Sequence, residues 1–309
     1  MSALAPSRRT NRRLGDVVFA GSARSAGLLI LITLAGVAIF LSVEGWSGLW
    51  ADASDLGGKA NFLAYVWPLL FGTVLASVIA LAIATPLAIG VALVISHYAP
   101  RVLSKPLGYL VDLLAAVPSV VYGLWGIDFL GPRLVPAYQW LSAHAGFLPF
   151  FAVPASTTGR TILTASVVLA IMVLPIITAI SREIFVQTPT LQQEAALALG
   201  ATRWEMIRMA VFPYARSGVV SATMLGLGRA LGETMAVAMV LSATGVVTFS
   251  VIGSTNPSTI AANIALQFPE STGLAVNALI ASGLVLFVIT FLVNFGARSL
   301  ITRNERKMR

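Results

Sequence analysis

Residues 187–213 read QTPTLQQEAALALGATRWEMIRMAVFP, a polar-flanked connection between two long apolar runs. Thr188 followed by Pro189 suits a helix start, because the hydroxyl can cap and proline fits the first turn. The Ala- and Leu-rich run to Leu199 has high helix propensity. Gly200 supplies the left-handed backbone that ends such a helix. Thr202 with Glu205 three residues later is a capping-box pattern, so a second helix starts at once. Pro213 then marks the junction with the next apolar run. The segment is therefore expected to form two short helices on a tight glycine elbow, a compact knob protruding from whatever the apolar runs build.

Those runs identify the rest of the chain. Of 309 residues, 57% are hydrophobic and only 10% charged, against roughly 25% charged in a soluble domain. Mean hydropathy is +0.88. A helix crossing the hydrocarbon core needs about 20 apolar residues. Six stretches qualify, near positions 26–43, 68–96, 109–130, 161–180, 217–243 and 274–295. The expected fold is an all-α polytopic membrane protein with six transmembrane helices. Residues 1–25 form a basic N-terminal tail, 26–297 the transmembrane domain and 298–309 a basic C-terminal tail. The weaker segment 140–153, with His144 and Pro149, is too short to span and reads as interfacial or re-entrant. Arg8, Arg9, Arg12 and Arg13 before the first run also suit a cleaved signal peptide. That run exceeds a signal core, and the nearby A-x-A pattern from Ala51 to Ala53 lies well past its end.

The net charge of +8 is mostly topogenic. With both termini inside, Arg101, Lys105, Arg182, Arg203, Arg208, Arg216, Arg298 and the tail cations face the cytoplasm, and only Lys59, Arg133 and Arg160 fall outside. Cysteine is absent and histidine occurs twice, at His97 and His144, which leaves no disulfide, thiolate chemistry or histidine metal centre. No GxxxxGK[ST] loop, HExxH or Ser-His-Asp spacing occurs. The chain is expected to bind no cofactor and to carry no ATPase of its own.

Polar residues inside the runs are the candidate site. Arg229 and Glu233 are four apart, so on one helix they share a face and can pair. Arg229 lies about 20 Å into its run at 1.5 Å per residue, where a charge must face protein or water. Two readings stand side by side: Arg229 attracts an anion with Glu233 holding or releasing it, or the two lock helices as a salt bridge. Gly228, Gly232 and Ala236 form a small-residue strip suited to close helix approach. Pro118 and Pro86 are expected to kink their spans. His97, Trp46 and Trp50 sit near span ends as interfacial anchors. Asp128 is assigned no role of its own; with Asp112 and Glu233 it is a candidate carboxylate only if the chain were a self-contained secondary transporter.

The knob resembles the EAA loop of ABC-importer permeases, through Glu194, Ala195, Ala196, Gly200 and Pro213. Ala210 and Phe212 depart from the Ile and Leu usual there. Residues 226–237 (GLGRALGETMAV) and 116–126 (AVPSVVYGLWG) are similar to the permease subunits of bacterial phosphate importers, more to the PstC than to the PstA type. Asp128 departs from an apolar position in that family. The resemblance covers spans two to six. It implies an ABC-importer permease fold in the bacterial cytoplasmic membrane, with Arg229 and Glu233 on the substrate path. Glu194, Ala195, Ala196 and Gly200 would dock the ATPase. The implied partners are a PstA-like second permease subunit, two PstB-like ATPase subunits that hold ATP and Mg, and a PstS-like external phosphate-binding protein. A PstA-type sister subunit, a permease for another oxyanion and a secondary transporter are the alternatives.

Overall fold

The computed structural model describes residues 14–152 and 154–308, so the tail cations before Leu14 lie outside it. Among the described residues twelve α-helices form, and helix extends into both segments read as tails: α1 is Leu14–Gly48 and α12 is Leu274–Met308. Between them run α2 (Phe62–Leu93), α3 (Arg101–Ala115), α4 (Ser119–Trp125), α5 (Gly131–Ala145), α6 (Ile162–Val186), α7 (Thr190–Ala198), α8 (Arg203–Met206), α9 (Phe212–Leu231), α10 (Met235–Val240) and α11 (Ile260–Gln267).

The organising element is α6, two-thirds of whose apolar window is buried. Its neighbours include α2, α3, α4, α9 and α10. The closest association is with α2, and the reason is legible in composition: Ala76, Ala80, Ala84, Ala88 and Ala92 recur every fourth residue and are all 0–1% exposed. On α6 the row Ala165, Leu169, Val173, Ile177, Ser181, Phe185 is buried at the same spacing. Rows at i±4 are the ridges through which helices interlock, and alanine lets backbones approach closely where lipid supplies no hydrophobic drive. By contrast α1 exposes its whole apolar window and packs on α12, with Asn277 Nδ2 donating to the Glu44 carbonyl at 2.6 Å.

Among the described residues, four helices are long and apolar enough to cross a membrane: Val18–Gly48, Phe62–Tyr98, Ile162–Val186 and Leu274–Ala297. A bent pair, Val102–Ala115 with Ser119–Ala145, adds a fifth at most. The expected count of six transmembrane helices is thus not confirmed among the described residues, and the difference falls at the third and fifth stretches.

The third stretch, read as 109–130, is not one helix. The chain turns by 87° between Ala115 and Ser119. Pro118 is not a kink inside a span; it stands at the N-cap of α4 with φ −59° and ψ 140°. Proline also disfavours helical backbone at the preceding Val117, so the break falls where it does. The Tyr122 hydroxyl donates across the bend to the Leu114 carbonyl at 3.0 Å. Segment 140–153, read as interfacial, contributes its first six residues to α5, and Pro149–Phe151 form a 3₁₀ turn.

The fifth stretch runs antiparallel to α6 along its length, but in two pieces. Gly218 lies against Ile184 and Gly226 against Ile177, while at the far end Arg160 Nη2 donates to the Met239 carbonyl at 3.1 Å. Helix α9 stops at Leu231 with Gly232 as its C-cap, and α10 starts at Met235.

Prolines shape the bundle in a second way. Three π-helical turns, Val94–Tyr98, Gly126–Leu130 and Ile207–Val211, each precede an X-Pro step at Ala99–Pro100, Gly131–Pro132 and Phe212–Pro213. The residue before each proline donates five residues back, to the carbonyls of Val94, Gly126 and Ile207. At Pro132 and Pro213, where the preceding residue stays helical, the widened turn gives the proline ring room against the preceding carbonyls; at Ala99 the backbone turns extended and the helix ends. Pro213 therefore does not end the helix from α8, which continues into α9. Pro86 lies inside α2 on its exposed side, and the helix runs on to Leu93.

At the end of α6 remote from the knob, the loop between α10 and α11 folds back over the helix start. Fully buried Asn256 accepts from the Ile162 amide at 3.1 Å and donates to the carbonyls of Arg160, Ser242 and Gly253. One side chain thereby satisfies backbone groups that burial would otherwise strand.

Candidate functional site: the helical knob and the break in the fifth stretch

The knob forms as its residues dictate. Gly200 adopts φ +87°, the left-handed region that costs a side chain steric strain. The capping box is complete: the Thr202 hydroxyl accepts from the Glu205 amide at 3.3 Å, and a Glu205 carboxylate oxygen accepts from the Thr202 amide at 2.8 Å. The Thr202 amide, and then the Thr202 hydroxyl donating to the same carboxylate oxygen, hold the Glu205 carboxyl below the usual glutamate range. A depressed carboxylate stabilises above its unfolded pKa and loses that contribution as pH falls through the folded value. The box is therefore intact at neutral pH.

The expected start of the first knob helix needs correction. Pro189, not Thr188, is the N-cap of α7. The Thr188 hydroxyl is buried without a protein partner, while its carbonyl accepts from Gln193 Nε2 at 3.0 Å. Of the four residues read as docking positions, Glu194, Ala195 and Gly200 are exposed. Ala196 packs partly inward on a cluster of Ala92, Leu93, Phe185, Met206, Ile207, Val211 and Ala215. This cluster seats the knob on the ends of α2, α6 and α9. Phe212, a departure from the family pattern, fills the seat edge-on against Phe185 and Trp204. The exposed apolar groups on the knob include Leu191, Leu197, Trp204, Met209 and above all Leu199, 89% exposed beside the elbow. Sequence reading passed over them, although a leucine next to a helix-ending glycine is a legible signal.

Replacing Gly200 by valine is expected to leave membrane insertion intact and to cut coupled transport at least tenfold. A β-branched residue at φ +87° is a genuine outlier, and no packed atom lies within 4 Å to be displaced. Only the elbow should move. Normal coupling in a well-expressed Gly200→Val variant would disprove this role.

The break lies at the far end of α9, a 20-residue helix of about five and a half turns. Arg229 is exposed and, among the described residues, makes no hydrogen bond or ion pair; its charge acts on Tyr122. The expected Arg229–Glu233 pair does not form, because the helix ends at Leu231 and Glu233 leaves its face. The ion pair formed among the described residues is instead Arg182 with Asp112, at 3.8 Å between α6 and α3. Glu233 is 8% exposed, and its Oε1 accepts the Ala236 amide at 3.2 Å.

Gly228 and Gly232 also stand differently from expectation. A Cβ at Gly228 would meet nothing within 4 Å, and one at Gly232 only the Gly228 carbonyl. The close approaches of α9 are at Gly218 and Gly226, where a Cβ would press on Ile184 and Ile177. Ala236 instead meets Gly123 of α4. The face with Gly228, Arg229 and Gly232 is thus open within this chain.

A cavity of about 350 Å³ lies elsewhere, at the end remote from the knob, bordered by Asp55, Lys59, Tyr65, Asn263, Gln267 and Ser271. Its central polar groups already pair, Asn263 Nδ2 with the Tyr65 hydroxyl at 2.6 Å and Lys59 with the Gly245 carbonyl at 3.4 Å. The unpartnered cation of the break is the stronger candidate for an anion.

A bundle built on one buried central helix, with a helix–elbow–helix knob at one end and an interrupted charged stretch beside it, defines an importer permease. The fold agrees with that of a solved bacterial alginate ABC transporter in complex with alginate pentasaccharide-bound periplasmic protein: TM-score 0.63 and 15% identity, covering 93% of this chain and 95% of that one. The chain belongs to the family of binding-protein-dependent transport system inner membrane components, whose family model matches residues 84–309. It is similar to the phosphate transport system permease protein PstC 2 of Mycobacterium tuberculosis, 48% identical over 93% of this chain and 92% of that protein. It is likewise similar to the phosphate transport system permease protein PstC of Mesorhizobium japonicum, 39% identical over 95% of this chain and 92% of that one.

Proposed function

We propose that this chain is the permease subunit of an ATP-driven importer of inorganic phosphate, without enzymatic activity of its own. The observation that carries the reading is Arg229, an unpartnered cation on the open face of an interrupted apolar stretch, in a chain similar over nearly its whole length to phosphate permeases. A charge beside a broken helix at depth suits a desolvated anion. The open face with Gly228 and Gly232 fits a path shared with a second, PstA-like permease subunit. The knob, through Glu194, Ala195, Leu199 and Gly200, docks a PstB-like ATPase, two copies of which hold ATP and Mg. A PstS-like binding protein delivers phosphate to the opposite end. Both termini and the knob face the cytoplasm, in line with Arg182, Arg203 and Arg208 near the knob and Lys59 and Arg160 at the far end. ATP-driven closure of the ATPases moves the knobs, and the packed helices rock to alternate access.

Two measurements test this. The complex reconstituted in proteoliposomes should take up labelled phosphate only with ATP and binding protein; ATP-driven uptake of sulfate without phosphate would reassign the substrate. For topology, Ala198→Cys adds the chain's sole thiol, which should resist an impermeant reagent in intact cells. Labelling there would overturn both the orientation and the docking role.

A further inference from the structure

We propose that Glu233 is a positioning residue that caps the helix beyond the break, and not the counter-ion of Arg229. The inference rests on the reading of Arg229 as the cation of the phosphate path and assigns its acidic neighbour a separate task.

The break leaves the start of α10 with amides that need acceptors. Thr234 occupies the N-cap position, yet its hydroxyl donates back to the Gly232 carbonyl at 3.1 Å, and it makes no cap bond. The vacancy is filled by Glu233, whose Oε1 accepts the Ala236 amide at 3.2 Å. That carboxylate is 8% exposed and sits on the positive end of the helix, where negative charge is favoured. A second contact holds the other end of α10, Arg160 Nη2 on the Met239 carbonyl. Between the two ends, Ala236 and Met239 lie against Gly123, so close that a Cβ there would stand 3.1 Å from each. Glu233 therefore fixes where α10 lies, and through it the edge of the path beside Arg229. Arg229 is left free to meet an anion because Glu233, the carboxylate that follows it across the break, is engaged by the Ala236 amide.

Capping and counter-ion roles separate under conservative substitution. Glutamine keeps the acceptor oxygen but removes the charge; alanine removes both. With Met235→Cys as the sole thiol in the assembled complex, maleimide labelling reports the position of α10 without reference to any substrate. Glu233→Gln should label within about twofold of the parent, and Glu233→Ala should change the rate by about tenfold, as expected for losing a helix cap. In phosphate uptake, Glu233→Gln should retain most of the rate with KM unchanged, whereas Glu233→Ala should lower the maximal rate. Glu233→Gln as defective as Glu233→Ala, or labelling in Glu233→Ala equal to the parent, would overturn the proposal. If Glu233→Ala does not accumulate, Glu233→Gln alone decides, since a counter-ion role requires its loss. Failure of the substrate reading would appear separately, as absent phosphate uptake by the parent with the labelling pattern intact.

Discussion

Leucine in place of Ala84 is expected to destabilise the folded chain strongly and lower its melting temperature, while leucine at Ala82, half a turn away on the same helix, is expected to be tolerated. Ala84 is 0% exposed within the ladder that joins α2 to α6, and Ala82 is exposed. Overfilling a packed interior costs about 1–3 kcal/mol and occasionally more. The cost is at the high end here, because the same i, i+4 row continues through Ala80 and Ala88, both 0% exposed, and leaves no slack on either side. An exposed substitution stays within about 0.5 kcal/mol. Thermal melting in detergent, followed by size-exclusion chromatography, separates the two. Equal melting of Ala84→Leu and Ala82→Leu would show that the ladder is not the packing seam.

The ladder also shows what could be read from the sequence and what could not. The membrane class, the knob and its glycine elbow were legible because each follows from local chemistry: hydropathy over a span, a capping box four residues long, a glycine after an Ala/Leu run. The alanine row was equally legible as a period of four, yet glycines near a charged pair attracted the packing role instead. Choosing between Gly226 and Gly228 needs tertiary contact, since both lie in the string GLG and only the first faces Ile177. The two broken stretches were hidden for a different reason. Apolar composition measures length in the membrane, not continuity, so Pro118 reads as a kink in a span or the first turn of a new helix with equal ease. Gly232 likewise suits a helix-packing strip or a C-cap. Once α9 ends there, the i, i+4 argument for an Arg229–Glu233 pair loses its premise. Asn256 and Arg160 carried no local signal at all, because their partners lie on segments distant in sequence.

Arg229→Gln is expected to lower phosphate uptake by about 10- to 100-fold at matched membrane abundance, while assembly and Met235→Cys labelling stay close to the parent. The side chain is exposed and makes no hydrogen bond or ion pair among the described residues, so its removal strands no buried partner and creates no cavity. What disappears is a charged donor to a partly desolvated anion, worth about 1.5–3 kcal/mol per hydrogen bond, and each 1.4 kcal/mol is about tenfold. Arg229→Lys keeps the charge but loses the planar fork that matches phosphate, so its uptake should fall between the parent and Arg229→Gln. The neutral double variant, Arg229→Gln with Glu233→Gln, makes the decisive comparison. A locking salt bridge predicts that neutralising both partners restores uptake, since the penalty of a buried orphan charge is relieved. The observed geometry predicts no restoration, because the Glu233 carboxylate is held by the Ala236 amide at 3.2 Å and is not orphaned when Arg229 is lost. Uptake by the double variant should therefore match Arg229→Gln alone. Recovery to near the parent rate would remove Arg229 from the anion path and return the pair to a purely structural role.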